Sequence, residues 1–227
     1  MDRISTGIVG LDRMLGGIPA GKCLLVTGTA GTGKTIMALH LVNQRCSEGK
    51  RCSYLAIEED RHDLFRQADQ FGWDFGAFER EGLLEVVPLL EERMVEAKYQ
   101  FKLHGSDAGF GGLHNMVDST VDTLVIDNLG VLALDMDLSG FRQQLDYLVY
   151  SLEKKGVTTL IISDDTLMKD KKEVAYYSVH GAIRLMKRDN PYTDTRERAL
   201  EVVKMRSTPA PIDYILFEIG RNGISID

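Results

Sequence analysis

Cysteine is scarce in this sequence, with only Cys23, Cys46 and Cys52 among 227 residues. An odd number at spacings that match no metal-ligand pattern gives no basis for a disulfide framework or a zinc site, and it fits a reducing compartment. Proline is nearly as rare, with five residues, and neither an internal repeat nor a low-complexity stretch is present, so no linker divides the chain. Basic charge is in deficit: 27 Lys and Arg stand against 34 Asp and Glu, a formal charge of −7. That balance argues against a broad basic surface for duplex DNA or an anionic membrane, so neither nucleic acid nor membrane is an expected partner. Long apolar runs are missing too, since no stretch approaches the roughly 18 residues a membrane span requires. The opening MDRISTGIVG carries charge where a signal peptide needs its apolar segment. A cytoplasmic location is the expectation.

What is present is the mixture of an ordinary globule, 44% hydrophobic and 27% charged, long enough to bury a full core as one domain over residues 1–227. Along the chain, apolar runs alternate with helical periodicity. Lys22 to Thr27 (KCLLVT) reads as a strand, and from Lys34 a helical stretch runs to Gly49. Arg51 to Ile57 is a second strand, followed by Leu64, Phe65, Ala68 and Phe71 at helical spacing, and Leu83 to Val87 is a weaker third. Asp122 to Ile126 (DTLVI) carries an unbroken apolar run at Leu124, Val125 and Ile126, as expected for a strand covered on both faces. Phe141, Leu145, Leu148, Val149 and Leu152 form one helical stripe closed by Gly156, and Val157 to Ser163 gives a fifth strand. Such alternation predicts an α/β fold with a mostly parallel sheet, helices on both faces, and ligands beyond the carboxyl ends of the strands. After Asp165 the segments His180 to Lys187, Ala199 to Met205, Tyr214 to Ile219 and Ile224 to Ile226 read as strands without intervening helices, an antiparallel extension of the same sheet.

Gly28-Thr29-Ala30-Gly31-Thr32-Gly33-Lys34-Thr35 satisfies G-x-x-x-x-G-K-[ST] between the first strand and its helix. Glycines let the backbone wrap closely enough to aim N–H groups at phosphate oxygens, and the helix N-terminus, with Ile36 in its first turn, adds the positive end of a dipole. Lys34 is placed to neutralise β and γ phosphates, and the Thr35 hydroxyl to complete a Mg²⁺ shell. The guanine-specificity string N-K-x-D is lacking, which favours ATP. The metal also needs a carboxylate, and Asp127, closing the apolar strand TLVID, is the best placed. Asn128 follows it where many such ATPases carry a glutamate. The Glu58-Glu59 pair after YLAI offers another source of a water-polarising base if the two strands are neighbours, and an equally open alternative is a solvated helix start with Asp60 as cap.

These segments, taken with STGIVGLDRMLGGIPAGKCLLVTGTAGTGKT, FGWD at Phe71 to Asp74, LVIDNL, EVVKMRS and NGISI, resemble one KaiC-type ATPase domain of the RecA superfamily over nearly the whole chain. The resemblance implies a RecA-like core, ATP and Mg²⁺, slow hydrolysis, and a homo-oligomer, usually a hexameric ring, with nucleotide between subunits. It makes Glu58 the water-activating residue with Glu59 beside it, and assigns Lys204 and Arg206 to the ATP of the neighbouring subunit, with Met205 and Thr208 lining it. Read alone, Lys204 and Arg206 are two cations on one side of a strand, a pattern equally at home on a solvated face. The clock protein KaiC carries two such domains in tandem, whereas one stands here. Ala210, Gly220 and Arg221 replace side chains that contact the neighbour's nucleotide there, and no Ser/Thr pair stands out as an autophosphorylation site. The implied function is a regulatory ATPase acting on an unidentified protein partner. Its rivals are an assembly switch that binds ATP without useful hydrolysis and, further off, a recombinase on single-stranded DNA. The five histidines are scattered without metal-ligand spacing, Trp73 reads as a packing residue, Gly105 to Gly112 as a flexible connection, and Lys169-Asp170-Lys171-Lys172 as a solvated charge run at a mobile loop.

Overall fold

The computed structural model describes residues 1–89, 110–165, 169–190 and 192–226. A small ribbon of β1 (Arg3–Ile4) and β2 (Ile18–Pro19) brackets the helix α1 (Val9–Leu15). The chain then enters β3 (Cys23–Gly28), whose six residues are all buried, and leaves it for α2 (Lys34–Ser47). There follow β4 (Cys52–Ala56), α3 (Arg61–Gln70), α4 (Phe75–Arg80) and β5 (Leu84–Pro88). A 3₁₀ turn at Phe110–Met116 leads to β6 (Thr123–Asp127), α5 (Leu129–Leu132), α6 (Leu138–Lys155) and β7 (Thr158–Asp164). The chain closes with α7 (Lys169–Ser178), β8 (Gly181–Asp189), β9 (Arg196–Met205), β10 (Ile215–Gly220) and β11 (Gly223–Ser225).

Among the described residues one nine-stranded sheet runs in the order β11-β10-β9-β8-β3-β7-β6-β4-β5. Apolar side chains on both faces make two cores. Val26, Met37, Leu41, Tyr54, Leu64 and Phe75 pack on the α2 side. Leu25, Leu55, Ile126, Phe141, Leu145 and Leu148 pack on the α6 side, each such burial contributing about 1.5–3 kcal/mol. The predicted stripe of α6 is thereby accounted for, and Gly156 ends the helix with φ 74°. Cys23, Cys46 and Cys52 serve as buried packing thiols.

The last third departs from expectation. The segment from His180 is not the start of the antiparallel tail, because β8 runs parallel to β3, with Leu24 opposite Gly181 and Gly28 opposite Leu185. A parallel neighbour needs a crossover, and α7 is that crossover; the antiparallel part begins only at β9. The Lys169 to Lys172 run therefore lies in a helix and not in a loop. Lys171 is buried, its ammonium donating to Ala133 O at 2.8 Å, and Lys172 pairs with Asp165 at 3.0 Å. Charge concealed the helix: its inward side is Val174, Ala175 and the stem of Lys171. Of Gly105 to Gly112, residues 105–109 lie outside the described part, and Gly111 and Gly112 belong to the 3₁₀ turn.

The C-terminal hairpin is fastened to α2 through an imidazole. Gly223 has φ 88°, and a Cβ there would stand 2.2 Å from His40 Nε2, so only glycine admits the contact. His40 Nε2 accepts a hydrogen bond from Ile224 N at 2.7 Å, while Trp73 meets the ring edge-on with centroids 4.5 Å apart. Trp73 thus packs as expected, at the rim of the core. Burial holds His40 down at about 4, against 6.5 in the open. The unfolded chain binds this proton more readily, so the associated stability is complete above pH 6.5 and is lost as pH falls towards 4. That loss should total about 3 kcal/mol. Urea unfolding between pH 8 and 4.5 should show the decline, and His40→Gln, which keeps an acceptor without the titration, should flatten it. Parallel pH profiles for the two proteins would remove His40 as the cause.

Candidate nucleotide site

The loop after β3 is shaped by close backbone approach. Gly28 has φ 152°, and a Cβ there would fall 2.3 Å from Leu185 O, so no other residue lets β8 pass. Thr32 closes the turn by donating to Thr29 O at 2.8 Å. The loop delivers the chain into α2 through Gly33, at φ 106°, with no side chain capping the helix. The first-turn N–H groups, including those of Thr35 and Ile36, are therefore left for a ligand, with the helix dipole behind them. Lys34 is 8% exposed, and its ammonium lies 2.9 Å from Gly28 O, 3.2 Å from Thr29 O and 2.5 Å from Asp164.

The parallel register carries the acids to the same edge. Because β4 lies beside β6, Ala56 stands opposite Asp127, and Ile57 N donates to Asp127 O at 2.7 Å. The strands predicted to need adjacency are thus neighbours. Asp127 is 9% exposed, and its Oδ2 accepts from Thr35 Oγ1 at 3.0 Å and Tyr54 OH at 2.7 Å. Burial raises its carboxyl, opposed by the hydrogen bonds from Tyr54 and Thr35, and burial beside this acid drives the Tyr54 phenol well up. The hydroxyl and carboxylate of Thr35 and Asp127 form an oxygen donor set suited to a hard divalent cation. Glu58 is exposed and accepts from Asn128 Nδ2 at 3.0 Å. Glu59 is turned towards Gln67, with its carboxyl raised chiefly by burial. The helix-start role belongs to Asp60, which caps α3 by accepting from Asp63 N at 2.8 Å.

The sequence reading passed over Tyr54 and Asp164, and noted Asn128 only for the glutamate it replaces. Asn128 and Asp164 join Glu58 to Lys34, and Tyr54 holds Asp127. The signal for Asp164 was available, since LIISD closes a buried strand just as TLVID does. A fourth group, Lys187, leans over the loop with its ammonium 3.4 Å from Ala30 O.

The K-M-R string is elsewhere. Lys204 stands opposite Ala182, itself opposite Leu25, and Arg206 N donates to His180 O. Both therefore lie towards the amino end of β3, about 10 Å (Lys204) and about 17 Å (Arg206) along the strand from Gly28 at 3.3 Å per residue. Lys204 and Arg206 share a side, both donating to Tyr177 O, at 3.3 and 2.9 Å. Partial burial, with Arg206 beside it, lowers Lys204 to about 8. Alternation turns Met205 the other way: within one chain it is 6% exposed and seated on Gly181. Thr208 accepts from Arg3 at 2.9 Å. Within one chain the loop and these cations are not brought together.

The chain is similar to known proteins along its whole length. The family model for the KaiC ATPase matches residues 4–227. UPF0273 protein MK0039 of Methanopyrus kandleri is 32% identical over all of this chain and 92% of its own length. The circadian clock oscillator protein KaiC of Prochlorococcus marinus is 25% identical, and the chain spans 46% of it. Among solved structures, the KaiC-like protein PH0186 of Pyrococcus horikoshii superposes with a TM-score of 0.80 at 28% identity, over 100% of this chain and 99% of that one.

A phosphate arriving at Lys34 competes with Asp164 for the ammonium. Asp164→Asn removes the competing charge while keeping an oxygen for Asn128, so ATP should bind about threefold more tightly, the modest gain that a part-exposed ion pair allows. Titration calorimetry measures it. Unchanged or weaker binding would mean that the pair does not restrain Lys34.

Proposed function

Because the chain belongs to the KaiC family of ATPases, we propose that it is a single-domain, Mg²⁺-dependent ATPase of slow turnover, working in the cytoplasm as a ring, hexameric by family resemblance, on a protein partner. The supporting observation is the meeting of Lys34, Thr35, Asp127 and Glu58, drawn from three separate segments, at one edge of the sheet. In this reading the loop amides from Thr29 to Ile36 and the Lys34 ammonium hold the β and γ phosphates. Thr35 and Asp127 would hold Mg²⁺, which supplies positive charge against the phosphate oxygens. Glu58 takes a proton from a water whose oxygen forms a bond to the γ phosphorus; the bond to the bridging oxygen breaks and ADP leaves. Glu59, half-buried behind it, has a lesser part. Lys204 and Arg206, at the far end of β3 from their own loop, act on the ATP of the next subunit, with Thr208 beside them.

Lys34→Ala should abolish most ATP affinity with the fold intact. Glu58→Gln should keep Mg-ATP while losing hydrolysis by about a hundredfold or more. Phosphate release measured with both variants separates binding from chemistry, and wild-type turnover in Glu58→Gln would reject the base assignment. Sharing between subunits has its own test: Lys34→Ala and Arg206→Ala proteins, each nearly inactive, should regain partial activity when mixed under subunit exchange. Absence of rescue despite demonstrated exchange would confine the site to one chain.

A further inference from the structure

We infer that Asn128 is the positioning residue of the hydrolytic step, holding Glu58 towards the site and linking it through Asp164 to Lys34. The inference deepens the ATPase reading and rests on Glu58 being the base. Asn128 is 1% exposed, and every hydrogen-bonding atom of its amide is engaged. Its Oδ1 accepts from Gly130 N at 2.9 Å, capping α5. Its Nδ2 donates to Glu58 Oε2 at 3.0 Å and to Asp164 Oδ2 at 2.6 Å. An amide nitrogen has two hydrogens, so one goes to each carboxylate. The reverse orientation would set the amide oxygen against both acids, so the surroundings fix which way the amide faces.

Glu58 is exposed, at the end of β4, on a side chain with three rotatable bonds, and the amide of Asn128 is the one hydrogen-bond donor recorded for its carboxylate among the described residues. A base gains from being held within hydrogen-bond reach of its water, and a flexible glutamate without an anchor spends little time there. The other hand of the amide reaches Asp164, whose second oxygen meets Lys34 at 2.5 Å. Lys34, Asp164, Asn128 and Glu58 thus form one continuous chain of contacts from the phosphate-binding ammonium to the base. Sequence position explains why an amide suits this place: an acid there would face two carboxylates, and a hydroxyl has a single hydrogen.

The cap and the clamp can be separated by substitution. Asn128→Ser and Asn128→Thr both keep an oxygen able to cap Gly130 and add no charge beside the two carboxylates, so a purely structural role predicts near wild-type behaviour for both. Neither keeps the two-handed donor. As a positioning residue, Asn128 predicts that in both variants the ATP Kd stays within about threefold while kcat falls about tenfold or more. It also predicts that Asn128→Ser added to Glu58→Gln costs nothing further, because the base it orients is already gone. Calorimetry with Mg-ATP, single-turnover phosphate release and thermal melts give these readouts; should the serine variant unfold, the threonine variant, closer in size, carries the test. Wild-type kcat in a folded Asn128 variant overturns the inference while leaving Glu58 as base, and so does an additive loss in the double variant. Wild-type turnover in Glu58→Gln itself instead rejects the base, and the inference with it.

Discussion

The register of the parallel sheet is the constraint on which the rest depends. With Gly28 level with Asp164 and Leu185, and Ala56 level with Asp127, the carboxyl ends of β3, β7, β4 and β6 finish close together, while β8 runs on past them to Asp189. Residues that are 24 to 130 positions apart from Lys34 in sequence can meet only because of that common finish. The register is itself held by burial on both faces: a slip of one residue would turn the whole apolar set of a strand to the opposite layer, and would move Asp127 off the edge. Core packing and site geometry are in this sense one property.

The edge so assembled gathers negative charge, in Asp127, Glu58, Glu59 and Asp164, around the ammonium of Lys34. The fold tolerates this by supplying donors that carry no charge of their own, the Tyr54 and Thr35 hydroxyls on Asp127, the Gln67 amide on Glu59 and the Asn128 amide between Glu58 and Asp164. The raised carboxyls of Asp127 and Glu59 record the remaining cost of burial. A divalent cation is the group whose charge would relieve it most directly.

Much of this was legible in the sequence, and unevenly so. A glycine-rich string between an apolar strand and a helix has a strong local signature, and an aspartate ending a buried strand points to the ligand edge by topology alone, so Lys34, Thr35 and Asp127 were legible as neighbours, whereas Glu58 stood level with a solvated helix start until the family resemblance was weighed. Residues acting across strands were harder. Tyr54 looks like one more β-forming aromatic until its partner from β6 is known, and Asn128 was noticed for what it replaces before what it joins. The helix α7 was missed because lysines whose stems are buried read as surface charge, and that omission cost the direction of β8.

The separation of the two ends of β3 has one more consequence. A surface carrying Lys204 and Arg206 at one pole and a phosphate loop at the other is polar in the directional sense: contact between copies would be head-to-tail, not face-to-face. In the proposed reading each encounter completes one site and exposes another half-site, so only closure into a ring leaves none incomplete. Catalytic capacity would then scale steeply with abundance, scant below the concentration at which rings close and nearly full above it. Expression level would set the threshold of the response, with no modifying enzyme required.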